Sequence, residues 1–175
     1  MKEESKNYLR MSLEDLESSM ILYSHNKYPQ AIFLLQQSIE KTTKGITGTF
    51  DHNHRALNIY KEMVNKNLKK EIEETFRKDE FQVNDEKTLL VFIDSIKLLL
   101  FEQDSYNSPL KVGKITVPNF LLQQILFKHV NSARYPKGEY TPLIEYTSEH
   151  FLIKHYNKLY DLQKACLDEC FKFIT

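Results

Sequence analysis

The chain has 175 residues, 41% hydrophobic and 27% charged, the balance of a single globular domain with room for a real core. Its 24 basic and 24 acidic residues cancel, which excludes a broad basic surface for unselective nucleic-acid binding and leaves only local contacts. Four Gly and five Pro argue against a turn-rich sandwich, and two cysteines are too few for a disulfide framework.

A first helix is expected from about Glu4 to His25. Leu9, Leu13, Leu16, Met20 and Tyr23 recur at intervals of four and three and so share one face, with Glu14, Asp15, Glu17 and Ser18 opposite. Asn26-Lys27-Tyr28-Pro29 turns the chain, and Pro29 suits the start of a second helix because its missing N–H costs nothing there. That helix carries Ile32, Leu35, Ile39 and Ile46 on one side and a strip of Ala31, Ser38, Thr42 and Gly45 beside it. Small side chains let another backbone approach closely, so this helix reads as central, with Glu40, Lys41 and Lys44 forming its solvated face. The stretch from Gly45 to Asn53 reads as a break.

A third helix is expected from about His54 to Asn65, then a charged, exposed helix and loop up to Asn84. Asn84-Asp85-Glu86 supplies a capping side chain for a helix reaching about Phe101, apolar on most of its surface and therefore expected to be buried. Gln103 to Val117 is the one candidate for extended structure, as a hairpin arm or a plain loop. Pro118 then opens a helix through Val130, Asn131 to Glu145 forms a loop, and a last helix runs from about Thr147 to Ile174. Its stripe is Leu152, Tyr156, Leu159, Cys166, Cys170 and Phe173, with rings at Phe151, Tyr160 and Phe171 outside it. The sum is an all-α bundle. Neither a signal-type segment after Met1 nor a bilayer-length apolar run is present, so the expectation is a cytoplasmic protein without a membrane partner.

Three clusters hold side chains capable of chemistry. Cys166 and Cys170, four apart, have a metal-compatible spacing, but they fall on an apolar stripe without a second ligand pair, so core packing is the reading. Asp51-His52-Asn53-His54-Arg55 gathers ligand-type groups in what reads as a solvated turn entering a helix. Arg134-Tyr135-Pro136-Lys137 sets two cations around an aromatic ring in a loop. Arginine can fork onto phosphate and tyrosine can stack on a base, so this loop suits a nucleotide or single-stranded RNA. The alternative is a structural arginine paired with Glu139 or Glu145. Lys41 and Lys44 are weaker binding candidates. No nucleophile with a base, phosphate-cradling glycine loop, metal motif or cofactor motif is evident.

Taken in order, Tyr28-Pro29-Gln30-Ala31, Gln37-Ser38-Ile39-Glu40-Lys41, His54 to Leu57, and Ala133-Arg134-Tyr135-Pro136 resemble the HEPN family of helical domains. The resemblance implies one up-and-down bundle over residues 1–175, often dimeric, with an inserted middle segment at about 65–118 as an elaboration. It further implies either nucleotide binding without catalysis or a metal-independent ribonuclease toxin paired with a nucleotidyltransferase-type protein. Ribonuclease members carry an Arg and a His with four to six residues between them. Arg134 matches the arginine, but Glu139, Tyr140 and Thr141 stand at those positions, so catalysis is not expected. A nuclease would need a rearranged site drawing on His129, His150 or His54. The leading expectation is therefore a non-catalytic protein that binds a nucleotide, RNA or a partner protein. The other expectations are that ribonuclease and a dimeric scaffold in a nucleotidyltransferase-associated complex. Helix two's two apolar faces and the outlying rings of the last helix point to a homodimer.

Overall fold

A computed structural model describes residues 2–48, 83–102, 111–136, 139 and 141–172. The expected helices between 54 and 84, the Asp51 to Arg55 cluster, residues 103–110, Lys137 and Phe173 lie outside the described residues. Within the described residues the elements are α1 (Glu3–Ser24), α2 (Tyr28–Thr47), α3 (Glu86–Lys97), a π-helical turn (Leu98–Glu102), α4 (Lys111–Phe127), α5 (His129–Ser132), α6 (Pro142–Glu145), α7 (Phe151–Lys154) and α8 (Tyr156–Phe171). They include no strand, and no helix is long and apolar enough to cross a membrane.

The α1–α2 connection forms as its sequence requires. Asn26 adopts a left-handed φ of 59°, which its short polar side chain tolerates. The Asn26 N–H then donates to the Tyr23 carbonyl at 3.0 Å and Lys27 N–H to Leu22 at 2.9 Å, so two end carbonyls of α1 are satisfied in a Schellman arrangement. Pro29 sits in the first turn of α2, and Gly48 ends that helix at φ 67°. The helix therefore runs two residues beyond Gly45, where a break was expected.

Helix α2 is central, touching α1, α4, α5, α6 and α8. Its small-residue strip works as expected: a Cβ on Gly45 would lie 2.7 Å from Leu9 Cγ and Cδ2 and 3.1 Å from the Ser5 carbonyl, so only glycine admits α1 this closely. Leu9 and Leu16 from α1, Ile32, Leu35 and Ile39 from α2, and Leu159, Leu162 and Cys166 from α8 belong to one core cluster. The described parts of the middle segment join it through Leu89, Ile93, Ile96, Leu100 and Ile115. Asp85 caps α3 by accepting the Thr88 N–H at 2.8 Å, as its sequence suggested.

Four expectations need correction. Residues 111–117 are helical rather than extended, because α4 passes straight through Pro118. Pro118 removes one ladder hydrogen bond, yet Ile115 before it and Leu122, Ile125 and Leu126 after it are all buried, and that packing outweighs the local cost. The helix from Glu86 is not buried all round: Val91, Leu98 and Phe101 are exposed. The last helix is broken, with a turn over residues 147–150 and a second interruption at His155 (φ −109°, ψ 15°) between α7 and α8. Its outlying rings, Phe151, Tyr160 and Phe171, are partly buried against the same core. Finally, Glu40 and Lys44 are not solvated. Their side chains are 5% and 9% exposed and pair at 3.0 Å.

Candidate functional site

Two buried polar clusters lock α2 to its neighbours. Ser12 Oγ donates to the Ser38 carbonyl at 2.6 Å and lies 2.7 Å from Thr42 Oγ1. Gln163 Nε2 reaches across from α8 to Thr42 Oγ1 at 2.8 Å and Ser38 Oγ at 3.0 Å. On the other flank, Thr43 Oγ1 accepts from Asn119 Nδ2 at 2.6 Å and Gln123 Nε2 at 2.9 Å. These groups satisfy one another through their hydroxyls and amide N–H groups and act as a register device between helices, while Gln163 Oε1 and Asn119 Oδ1 are buried without a partner among the described residues. Cys166 and Cys170 are buried free thiols. Burial pushes both up, Cys170 to about 12, so they stay protonated and inert, as core packing requires.

The sequence-predicted Arg134 turn lies elsewhere, where α5, α6 and α7 replace long helices with single turns. The Asn131 carbonyl accepts the N–H groups of Arg134 (3.1 Å) and Tyr135 (3.0 Å), closing the turn that follows α5. That turn brings the Arg134 guanidinium back over α2, 4.5 Å from the Phe33 ring centroid and 5.0 Å from the Tyr135 ring. Arg134 is exposed and forms no ion pair within the described residues; Glu145, an expected partner, is nearest His150 instead. Its planar face is held by a ring while its N–H edges remain available.

The other candidate cations are differently placed. Lys41 is paired with Asp15 across α1 and α2, and Lys44 is buried with Glu40 and sits 5.8 Å over the Tyr8 ring. The structure thus does not gather Lys41, Lys44 and Arg134 as one cationic surface of unpaired groups. Phe33 was not singled out from sequence, since one ring on an amphipathic helix carries no mark of a distant cation.

In a second group, His129 and His150 were named from sequence as candidates for a rearranged site, but their convergence with Glu145 was not. His129 from α5, Glu145 from α6 and His150 before α7 converge with ligand-capable atoms all within 4.8 Å of one another. His129 Nδ1 lies 2.7 Å from the Tyr146 hydroxyl, and its Nε2 is buried without a partner among the described residues. His150 Nδ1 accepts the Leu152 N–H at 3.2 Å, and its Nε2 lies 3.9 Å from Glu145 Oε1. The two imidazoles meet edge to face at 5.6 Å between centroids. Burial, with His150 and Lys128 adding repulsion, pulls His129 down to about 4; burial also lowers His150 despite Glu145. Both rings are therefore neutral at neutral pH. In sequence, 21 positions separate the two histidines, and no short motif spans that distance.

His155, by contrast, is engaged with Glu86 of α3 at 2.6 Å, which anchors the α7–α8 interruption. No curated protein and no solved structure matches the chain. The HEPN domain family model matches residues 5–166, which spans every helix from α1 to most of α8 and includes the Arg134 turn. The chain belongs to the HEPN domain family.

Proposed function

We propose that this HEPN-domain protein binds a nucleotide or single-stranded RNA without catalysing a reaction, through the turn that carries Arg134 and Tyr135. The carrying observation is an exposed guanidinium laid on Phe33, next to the Tyr135 ring, with no carboxylate on it within the described residues. Such a group offers a bidentate edge to phosphate, and the exposed Tyr135 ring offers a face to a base. Lys137, outside the described residues, follows Tyr135 two positions later in sequence and is included in the proposal. Lys41 and Lys44 are weaker contributors, since each already holds a carboxylate. Binding of fluorescent ATP, GTP and a short RNA to wild type and Arg134→Ala tests this reading. The variant should bind at least about tenfold more weakly, the loss of one charge-assisted contact. Equal affinity, or no binding by either protein, would remove the assignment.

The pairing of His129 and His150 supports a second reading, a ribonuclease toxin with a rearranged site. Against it stands the neutrality of both rings, which leaves neither as an imidazolium able to serve as the general acid near neutral pH. Expression toxicity relieved by Arg134→Ala would favour it, and harmless overexpression with intact bulk RNA would dismiss it. A scaffold reading, as a homodimer or beside a nucleotidyltransferase-type partner, draws instead on exposed Val91, Leu98 and Phe101. The small-residue strip of α2 no longer supports a dimer, because α1 covers it at Gly45 and Gln163 of α8 reaches it at Ser38 and Thr42. Light scattering and pull-down with the neighbouring-gene product test the dimer and the partner in turn.

A further inference from the structure

We propose that His129, Glu145 and His150 form a three-ligand site for a divalent transition-metal ion of the zinc type, separate from the nucleotide-binding turn. Two imidazoles and one carboxylate are a borderline-soft donor set that suits zinc, with a fourth position left for water. Three features beyond the convergence itself support the site. His129 is only 8% exposed, and its Nε2 has no hydrogen-bond partner, so a buried lone pair or N–H is left without use. A metal would give that nitrogen the partner that burial otherwise denies it. The Tyr146 hydroxyl holds the other nitrogen of the same ring, which is how a ligating imidazole is normally aimed. The Glu145 side chain is 37% exposed while that of His150 is 10%, which gives the site one open side for entry of the ion.

The present separations exceed those of a metal-bound set, so the three side chains must close by about 1 Å around an ion held at about 2 Å from each ligand. They project from single-turn helices rather than from the long helices of the bundle, so this adjustment does not disturb the core. One local bond must change. His150 Nδ1 accepts the Leu152 N–H, so the neutral ring carries its proton on Nε2, toward Glu145. Ligation through Nε2 moves that proton, by way of solvent, to Nδ1. No net proton is released, and the Leu152 N–H loses its acceptor.

The test uses the full chain, freed of metal with a chelator and dialysed, then titrated with zinc chloride by calorimetry and checked for bound zinc by elemental analysis. One ion per chain at micromolar zinc is expected. Glu145→Gln and His150→Gln should each weaken binding at least about tenfold, whereas a His52→Ala/His54→Ala double variant should keep it. In ¹⁵N-labelled protein, zinc should shift the Leu152 amide and protonate His150 Nδ1. Glu145→Gln replaces a partly exposed side chain, so its effect can be read in a folded protein; the unfolding midpoint of each variant confirms the fold. Absence of binding, binding unchanged in Glu145→Gln and His150→Gln, or binding lost only in the His52/His54 variant would overturn the proposal.

Discussion

The wall formed by α1, α2 and α8 and the end formed by α5, α6 and α7 handle polar groups in opposite ways. In the wall, hydroxyls and amides are fully buried but face one another, so Ser12, Ser38, Thr42 and the Gln163 amide N–H groups are matched, and Gln163 Oε1 alone among them lacks a partner within the described residues. At the other end, Arg134 stays exposed on an aromatic face, and His129 keeps a buried nitrogen with no partner. The difference is one of backbone. Long helices set side chains in fixed rows that can be matched row against row. Single turns joined by loops bring together residues distant in sequence and leave some of them unmatched. Polar chemistry in the wall therefore stabilises, and polar chemistry at the short-helix end is free to bind.

Breaking the wall should have larger effects on stability than breaking the short-helix end. The most pronounced effect should be kinetic: Cys166 and Cys170 should resist thiol reagents in the native protein, with labelling slowed by about 10³-fold or more relative to the denatured chain. Mass spectrometry after timed labelling reads this, and rapid native labelling would show that α8 opens far more easily than its packing implies. Next, Thr43→Val removes the acceptor shared by Asn119 and Gln123, both fully or nearly buried. Stranding the Gln123 amide and leaving Asn119 Nδ2 only its 3.4 Å contact with the Ile39 carbonyl should cost about 2–3 kcal/mol, read as a lower urea midpoint at unchanged slope.

Gly45→Ala should cost about 1–2 kcal/mol, since the clash with Leu9 and the Ser5 carbonyl exceeds the gain in helix propensity. A neutral result would mean that α1 can slide away from α2. At the short-helix end, Arg134→Ala should change stability by less than about 0.5 kcal/mol while it weakens ligand binding, because an exposed cation without an ion pair among the described residues carries little of the fold. The smallest effect concerns Asp85, which sits on the fold's edge. Its hydrogen bonds from the backbone N–H and then the hydroxyl of Thr88 hold its pKa below the ordinary 3.8. The depressed folded value means that the cap's contribution is present above the unfolded pKa and is lost as pH falls through the folded one. Amide exchange in the first turn of α3 should therefore accelerate as the pH falls below about 4 once intrinsic rates are removed, and Asp85→Ala should abolish that acceleration.

Much of the wall was legible in advance. The intervals of four and three in α1, the small strip of α2 and the stripe of α8 each report a local helical face, and all three were read from residues a few positions apart. The Asp85 cap and the buried cysteines were legible for the same reason. Of the turn proposed to bind, Arg134 and Tyr135 stood out because their residue types are adjacent in sequence, but Phe33, about a hundred positions away, did not. His129 and His150 were named from sequence only as alternatives for a rearranged site, and their meeting with Glu145 was not legible, because the three come from separate elements.

The sequence by itself determined the helical class, both ends of α1, the start of α2, the cap of α3 and the family, since these depend on neighbours along the chain. The tertiary structure alone decided that Glu40 and Lys44 are buried together, that α4 carries Pro118 in its interior, and that His129, Glu145 and His150 meet. Each of these is a question of desolvation or of contact between distant segments. Whether a charged face is covered, whether a proline's lost hydrogen bond is outweighed, and which nitrogen is left without a partner depend on what packs against a residue.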